Sequence, residues 1–107
     1  MQIKKVGVIG AGEMGNGIAH VLSLGGYHVI LNDIDKNTLE KASHNIKNNL
    51  DRQVNSKKIS TAESNAALKL IDYTVSLEDF NEVDLVIEAA TENEPIKQKI
   101  LNSLLLF

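Results

Sequence analysis

Gly10-Ala11-Gly12-Glu13-Met14-Gly15 places three glycines at the spacing G-x-G-x-x-G, and that combination suits one task, closing backbone N–H groups around an anion. Gly10 would allow a tight turn and Gly15 would let a helix pack against a strand. Gly12 would admit a pyrophosphate where a Cβ would stand in the way. The N–H groups of Ala11, Glu13 and Met14 then belong to the same anion-binding helix start. The Glu13 side chain suits the helix dipole but would repel phosphate, so it is expected to face solvent. Asp33 lies 18 residues past Gly15, and a carboxylate there can accept from both hydroxyls of an adenosine ribose while repelling a 2′-phosphate, which favours NAD over NADP. Two plainer roles remain open: the glycines could form only a turn, and Asp33 could cap the next helix. Asp35 is the better cap candidate.

These residues need elements to hold them, and the chain supplies strands alternating with helices. Val6-Gly7-Val8-Ile9 is a short apolar run ending at Gly10, as expected for a strand covered on both faces of a parallel sheet. From Met14 to Leu24 the apolar positions Met14, Ile18, Val21 and Leu22 recur at helical spacing until Gly25-Gly26. His28-Val29-Ile30-Leu31 forms a second strand that ends in Asn32-Asp33. Leu39, Ala42, Ile46, Leu50 and Val54 then mark an amphipathic helix from Lys36 to about Val54. A helical stretch from Ala62 to Leu70 leads to a strand at Ile71–Val75, a turn region at Ser76–Val83, and a fourth strand from Leu85 to Ala90. Pro95 suits the first turn of a last helix, Ile96 to roughly Leu106. The alternation predicts an α/β domain with a doubly wound parallel sheet and right-handed crossovers, whose ligands bind where the strand order reverses at the carboxyl ends.

Composition narrows the classes further. The 107 residues contain no cysteine, no tryptophan and one proline, with 43% apolar and 23% charged residues, which fits one globular domain. Zero cysteine excludes disulfide frameworks and thiolate sites. No apolar run approaches the roughly 20 residues of a membrane span, and Met1-Gln2-Ile3-Lys4-Lys5 shows no signal-peptide pattern. A cytoplasmic protein without a membrane partner is expected. The net charge is −3, divided as +1 over residues 1–27, +2 over residues 28–60 and −6 over residues 61–107. That balance argues against a nucleic-acid face, although the excess around Arg52, Lys57 and Lys58 could meet a phosphate.

The stretches Lys5–Gly17, Val29–Ile34, Asn49–Ser60 and Asp84–Lys99 resemble the amino-terminal domain of the 3-hydroxyacyl-CoA dehydrogenase family, especially its bacterial 3-hydroxybutyryl-CoA branch. The motif Val-Ile-Gly-Ala-Gly-x-Met-Gly-x-Gly-Ile-Ala is shared among several dehydrogenases. Asp84-Leu85-Val86-Ile87-Glu88-Ala89-Ala90-Thr91-Glu92-Asn93 is more specific. The resemblance implies a Rossmann-type sheet of order 3-2-1-4, with the glycine loop on the NAD pyrophosphate and Asp33 on the adenine ribose. It places Ala89, Ala90 and Glu92 beside the nicotinamide end and Lys97 on a cofactor ribose. Plainer roles stay open for both: Glu92 could favour a helix start, Lys97 could be solvated, and Glu88 reads as structural. The resemblance further implies that Asn49 and Lys57, or Lys58 in its place, meet coenzyme A, against the simpler reading of a solvated basic helix end.

His20, His28 and His44 could serve as bases, yet only His20 could fall near the strand ends, and their spacing forms no metal triad. Each reads as a surface or structural residue. The family's catalytic serine, histidine, glutamate and asparagine lie beyond the fifth strand, so no catalytic residue is expected within this chain. The apolar Leu104-Leu105-Leu106-Phe107 end suggests a domain truncated after about four strands, with a helical substrate and dimerisation domain absent. The expected parent is a homodimeric enzyme that oxidises the 3-hydroxyl of a short-chain acyl-CoA with NAD, and the piece alone is expected to be inactive. An NAD-sensing module without catalysis, or a related hydroxy-acid or sugar-acid dehydrogenase, would share the glycine loop and Asp33.

Overall fold

The computed structural model describes residues 2–89. The helix expected from Ile96 to Leu106, together with Ala90, Glu92 and Lys97, lies outside that range. The elements run β1 (Lys5–Ile9), α1 (Glu13–Leu24), β2 (His28–Asn32), α2 (Lys36–Asn55), α3 (Thr61–Lys69), β3 (Ile71–Thr74), a 3-10 turn (Leu77–Phe80) and β4 (Leu85–Glu88). All described strand pairs are parallel, and the order across the sheet is β3-β2-β1-β4.

Register explains where the core sits. Val6 pairs with Val29 and Leu85, and Val8 pairs with Leu31 and Ile87; Val29 and Leu31 pair in turn with Ile71 and Tyr73. Because side chains alternate along a strand, these residues share one face of the sheet. Ile18, Ala19 and Leu22 of α1, Leu39, Ala42, Ile46 and Leu50 of α2, and Ala67 of α3 join them in one cluster. Burying each large aliphatic side chain contributes about 1.5–3 kcal/mol. The spacing expected for α2 is thus buried from Leu39 to Leu50, whereas in α1 Ile18 and Leu22 are buried, Ala19 joins them, and Val21, expected on the same stripe, is exposed. On the opposite face, the ring of Phe80 approaches Gly7 so closely that a Cβ on Gly7 would lie 2.8 Å from it.

Two strands stop short of their predicted ends. β3 ends at Thr74 rather than Val75 because the Ser76 N–H donates to the Thr74 hydroxyl at 3.0 Å and turns the chain. β4 ends at Glu88, its last pairing being with Ile9. The start of the third helix is fixed by a capping box: the Glu63 N–H donates to the Ser60 hydroxyl and the Ser60 N–H to the Glu63 carboxylate, both at 3.0 Å.

Candidate dinucleotide site

The carboxyl ends of β1, β2 and β4 meet at the loop that the three glycines form. Gly10 adopts φ 98°, a conformation natural only to glycine. Its N–H donates to the Asn32 carbonyl at 2.8 Å, which fastens the loop to the end of β2. Gly15 sits on the first turn of α1 against the same loop, where a Cβ would fall 1.7 Å from the Gly10 carbonyl oxygen and 3.6 Å from the Ala89 Cβ. Gly15 therefore brings α1 onto β1 and β4, as its spacing predicted. Ala89, 9% exposed, is held beside the loop by its N–H to the Ile9 carbonyl at 2.7 Å.

Gly12 differs from both. Its φ of −68° and ψ of −165° are open to any residue, and a Cβ there would meet no protein atom within 4 Å. Gly12 is also the N-cap of α1 and supplies no side-chain acceptor, whereas α2 is capped by Asp35 and α3 by Ser60. The first N–H groups of α1, which have no intrahelical carbonyl to reach, are thus left for an external acceptor. Glu13 is exposed, as expected, and Met14 is half-buried.

Asp33 closes the site from β2. Its Oδ2 accepts from the Ala11 N–H at 3.0 Å and its Oδ1 from the Asp35 N–H at 2.9 Å. Capping falls to Asp35, which accepts from the Asn37 N–H at 2.9 Å and from the Thr38 hydroxyl at 3.1 Å. The alternative role for Asp33 is thereby assigned to its neighbour. Each oxygen of Asp33 keeps acceptor capacity for a ligand hydroxyl, since a carboxylate has about four lone-pair positions. Two residues beside it gave no chemical signal in the sequence. Asn32, only 3% exposed, donates from its side chain to the Thr74 carbonyl at 3.1 Å and so fixes the end of β2 against β3. Ile34 is 93% exposed, an aliphatic surface next to the acid.

Residues 5–105 match the family model described as 3-hydroxyacyl-CoA dehydrogenase, NAD binding domain. The chain belongs to this family. Its cofactor is NAD, and its fold is the Rossmann-type sheet of the dehydrogenases. Over 102 residues it is 48% identical to a 3-hydroxybutyryl-CoA dehydrogenase of Bradyrhizobium diazoefficiens, covering 95% of this chain and 35% of that protein. It is 36% identical over 103 residues to the glyoxysomal fatty acid beta-oxidation multifunctional protein MFP-a of Cucumis sativus, covering 96% of this chain and 14% of that one. Among solved structures it resembles the (S)-3-hydroxybutyryl-CoA dehydrogenase PaaH1 of Ralstonia eutropha, with TM-score 0.82, 39% identity, and 96% of this chain against 36% of that one. The chain thus spans about a third of the length of the 3-hydroxybutyryl-CoA dehydrogenases it matches.

The remaining residues flagged for this dehydrogenase domain fall elsewhere. Asn49 is half-buried on α2, and Lys57 and Lys58 are exposed just past its end. Lys57 has φ 62°, and the N–H groups of Lys57 and Lys58 return to the carbonyls of Val54 and Gln53 at 3.0 and 2.9 Å. His20 Nε2 lies 2.8 Å from the Gln53 Oε1, which ties α1 to α2. His28 Nε2 lies 2.7 Å from the Asp72 Oδ2, at the far end of the strands from the glycine loop. His44 is exposed on α2. Among the described residues no cluster of histidine and carboxylates could hold a metal, and no helix is long and apolar enough to cross a membrane.

Proposed function

We propose that this chain is the cofactor-binding part of an enzyme that oxidises the 3-hydroxyl of a short-chain acyl-CoA to the 3-keto form. The observation that carries the reading is the open space above Gly12, at an uncapped helix start, with the Asp33 carboxylate at the neighbouring strand end. Here the N–H groups of Glu13, Met14 and Gly15 at the start of α1 hold the pyrophosphate, the Ala11 N–H being taken by Asp33, and Asp33 holds the adenosine ribose. Ile34 offers its exposed side chain to the apolar face of the base. Ala89, beside the loop at the end of β4, helps shape the nicotinamide end, together with Ala90 and Glu92, and Lys97 reaches a ribose. When bound, NAD supplies the acceptor for the hydride. The work of this part of the protein is to bind and orient it.

The substrate class follows from the relatives, two of which carry 3-hydroxybutyryl-CoA in their names. Asn49 and Lys57, or Lys58, are proposed to contact the nucleotide part of coenzyme A, where the exposed ammonium groups suit a phosphate. Proton abstraction, the acyl pocket and dimer formation are assigned to parts of the protein outside this chain, so that the chain binds cofactor without turnover. A cytoplasmic setting accompanies this reading.

Calorimetry on the 107-residue chain tests it directly. Binding of NAD in clear preference to NADP is the expected result, and equal affinity for the two would remove the discriminating role given to Asp33. In a protein carrying this chain with its remaining domain, NAD-dependent oxidation of 3-hydroxybutyryl-CoA is expected. Activity confined to a free hydroxy acid would overturn the acyl-CoA reading while leaving the cofactor site intact.

A further inference from the structure

We propose that Asp33 has a second task, independent of any ligand: it holds the glycine loop in shape, and this task rather than ribose recognition alone fixes an acid at this position. The inference rests on the cofactor site assigned above and deepens it. Two backbone donors converge on this one side chain from different loops. The Ala11 N–H, inside the glycine motif, reaches Oδ2 at 3.0 Å, and the Asp35 N–H, at the entrance to α2, reaches Oδ1 at 2.9 Å. Ala11 itself is 2% exposed, so an amide there without a partner has little water to turn to.

The chemistry allows few substitutes. Two N–H groups meeting the two oxygens of one carboxyl need two acceptors at the tip of a short side chain. Asparagine brings one acceptor and one donor, so one of the two amides would face an N–H. Serine and alanine bring still less reach or none. Only an ionised aspartate satisfies both amides and still keeps lone pairs for a ribose. The surroundings reinforce the demand: Gly10 donates to the Asn32 carbonyl, and the Asn32 side chain and the Asp33 N–H both donate to the Thr74 carbonyl, at 3.1 and 3.2 Å. The strand end that carries Asp33 is therefore fixed, and the loop is the partner that must adapt.

The consequence concerns cofactor choice. If Asp33 merely repelled a 2′-phosphate, removing its charge would admit NADP. If it also shapes the loop, removing it releases the Ala11 amide and weakens the pyrophosphate site that both cofactors share. Substitution at Asp33 then lowers affinity for NAD and brings no gain for NADP.

The test uses Asp33→Asn and Asp33→Ala in the 107-residue chain. Amide hydrogen exchange is followed residue by residue without ligand, and NAD and NADP are titrated by calorimetry. The proposal expects exchange about tenfold faster at Ala11 or Asp35 in the asparagine variant and at both in the alanine variant. Protection at the core strand residues Val29 and Leu31 should stay unchanged, and NADP should bind neither variant better than it binds the original chain. Unchanged exchange at Ala11 and Asp35, or an Asp33→Ala chain that binds NADP at least tenfold better than the original, overturns it. Should the alanine variant lose core protection, the asparagine variant decides by the same criteria. The exchange readout needs no ligand, so it stands apart from the cofactor assignment: failure of the original chain to bind NAD would sink that assignment, and unchanged exchange would sink only the second task.

Discussion

Gly12 and Gly15 belong to one motif, yet they are glycine for opposite reasons, and the difference is measurable. At Gly15 a Cβ would lie 1.7 Å from the Gly10 carbonyl oxygen, so the space is taken by the protein itself. Gly15→Ala must push α1 away from β1, and a loss of about 1–3 kcal/mol of stability is expected with any cofactor binding lost alongside. At Gly12 the space is empty and the backbone conformation ordinary. Gly12→Val should therefore change stability by less than about 1 kcal/mol, the range of N-cap effects, while abolishing NAD binding in calorimetry. A valine chain that binds NAD as before would mean that the empty space belongs to no ligand. The motif's spacing named these glycines and Asp33, because their roles follow from residue type after a strand. It could not name the donors to Asp33, which are backbone N–H groups, one of them 22 residues away in sequence. Nor could it single out Asn32, whose task depends on where β3 ends.

Helix boundaries were legible where residue type marks them: Asp35 announces the start of α2 and makes the bond that type predicts, and Gly25 follows the end of α1 at Leu24. The start of α3 was placed at Ala62, and the Ser60–Glu63 capping box moves it to Thr61. The end of α2 carries no such signal. The apolar spacing runs to Val54, no glycine follows, and the chain leaves the helix through Lys57 in the left-handed region at φ 62°. Its N–H to the Val54 carbonyl and that of Lys58 to the Gln53 carbonyl form the paired bonds usual where glycine ends a helix. A non-glycine residue there costs about 1–2 kcal/mol in backbone strain. Lys57→Gly should accordingly stabilise the fold by about 1 kcal/mol, part of the relief being offset by the freer unfolded chain. Urea denaturation reads this as a higher midpoint at unchanged slope. A lower midpoint would show that the lysine side chain contributes more in packing than its backbone loses. If the coenzyme A role given to Lys57 holds, the same variant of the whole protein should bind acyl-CoA more weakly while being more stable.

At the scale of the whole molecule, the parallel sheet was legible in the alternation of strands and helices, which marked all four described strands, while the order β3-β2-β1-β4 was what the family resemblance implied. What the pattern left unmarked is how the two termini of the described sheet are joined. Asp84, just before β4, accepts from the N–H groups of Lys4 and Lys5 at 2.9 and 3.0 Å, both through Oδ2, and so ties the entry of β4 to the entry of β1. The Lys4 N–H, then the Lys5 N–H, and then their ammonium charges hold the Asp84 carboxyl below its ordinary range. A lowered value in the folded state means that the unfolded chain binds the proton first as pH falls. The stabilisation is therefore complete above the unfolded value of about 3.9 and is lost as pH drops through the folded value below it. Asp84→Asn separates charge from hydrogen bonding, because one amide oxygen can still accept from both N–H groups. The variant should be the less stable of the two at pH 6, and the gap should close as pH falls from 4 towards 2, measured as the difference between paired urea denaturation curves so that the other carboxylates cancel. No gap at pH 6 would show that the charge of Asp84 does nothing for the junction and that the join rests on its two hydrogen bonds alone, and a gap that persists unchanged at the lowest pH would trace the loss to something other than the charge.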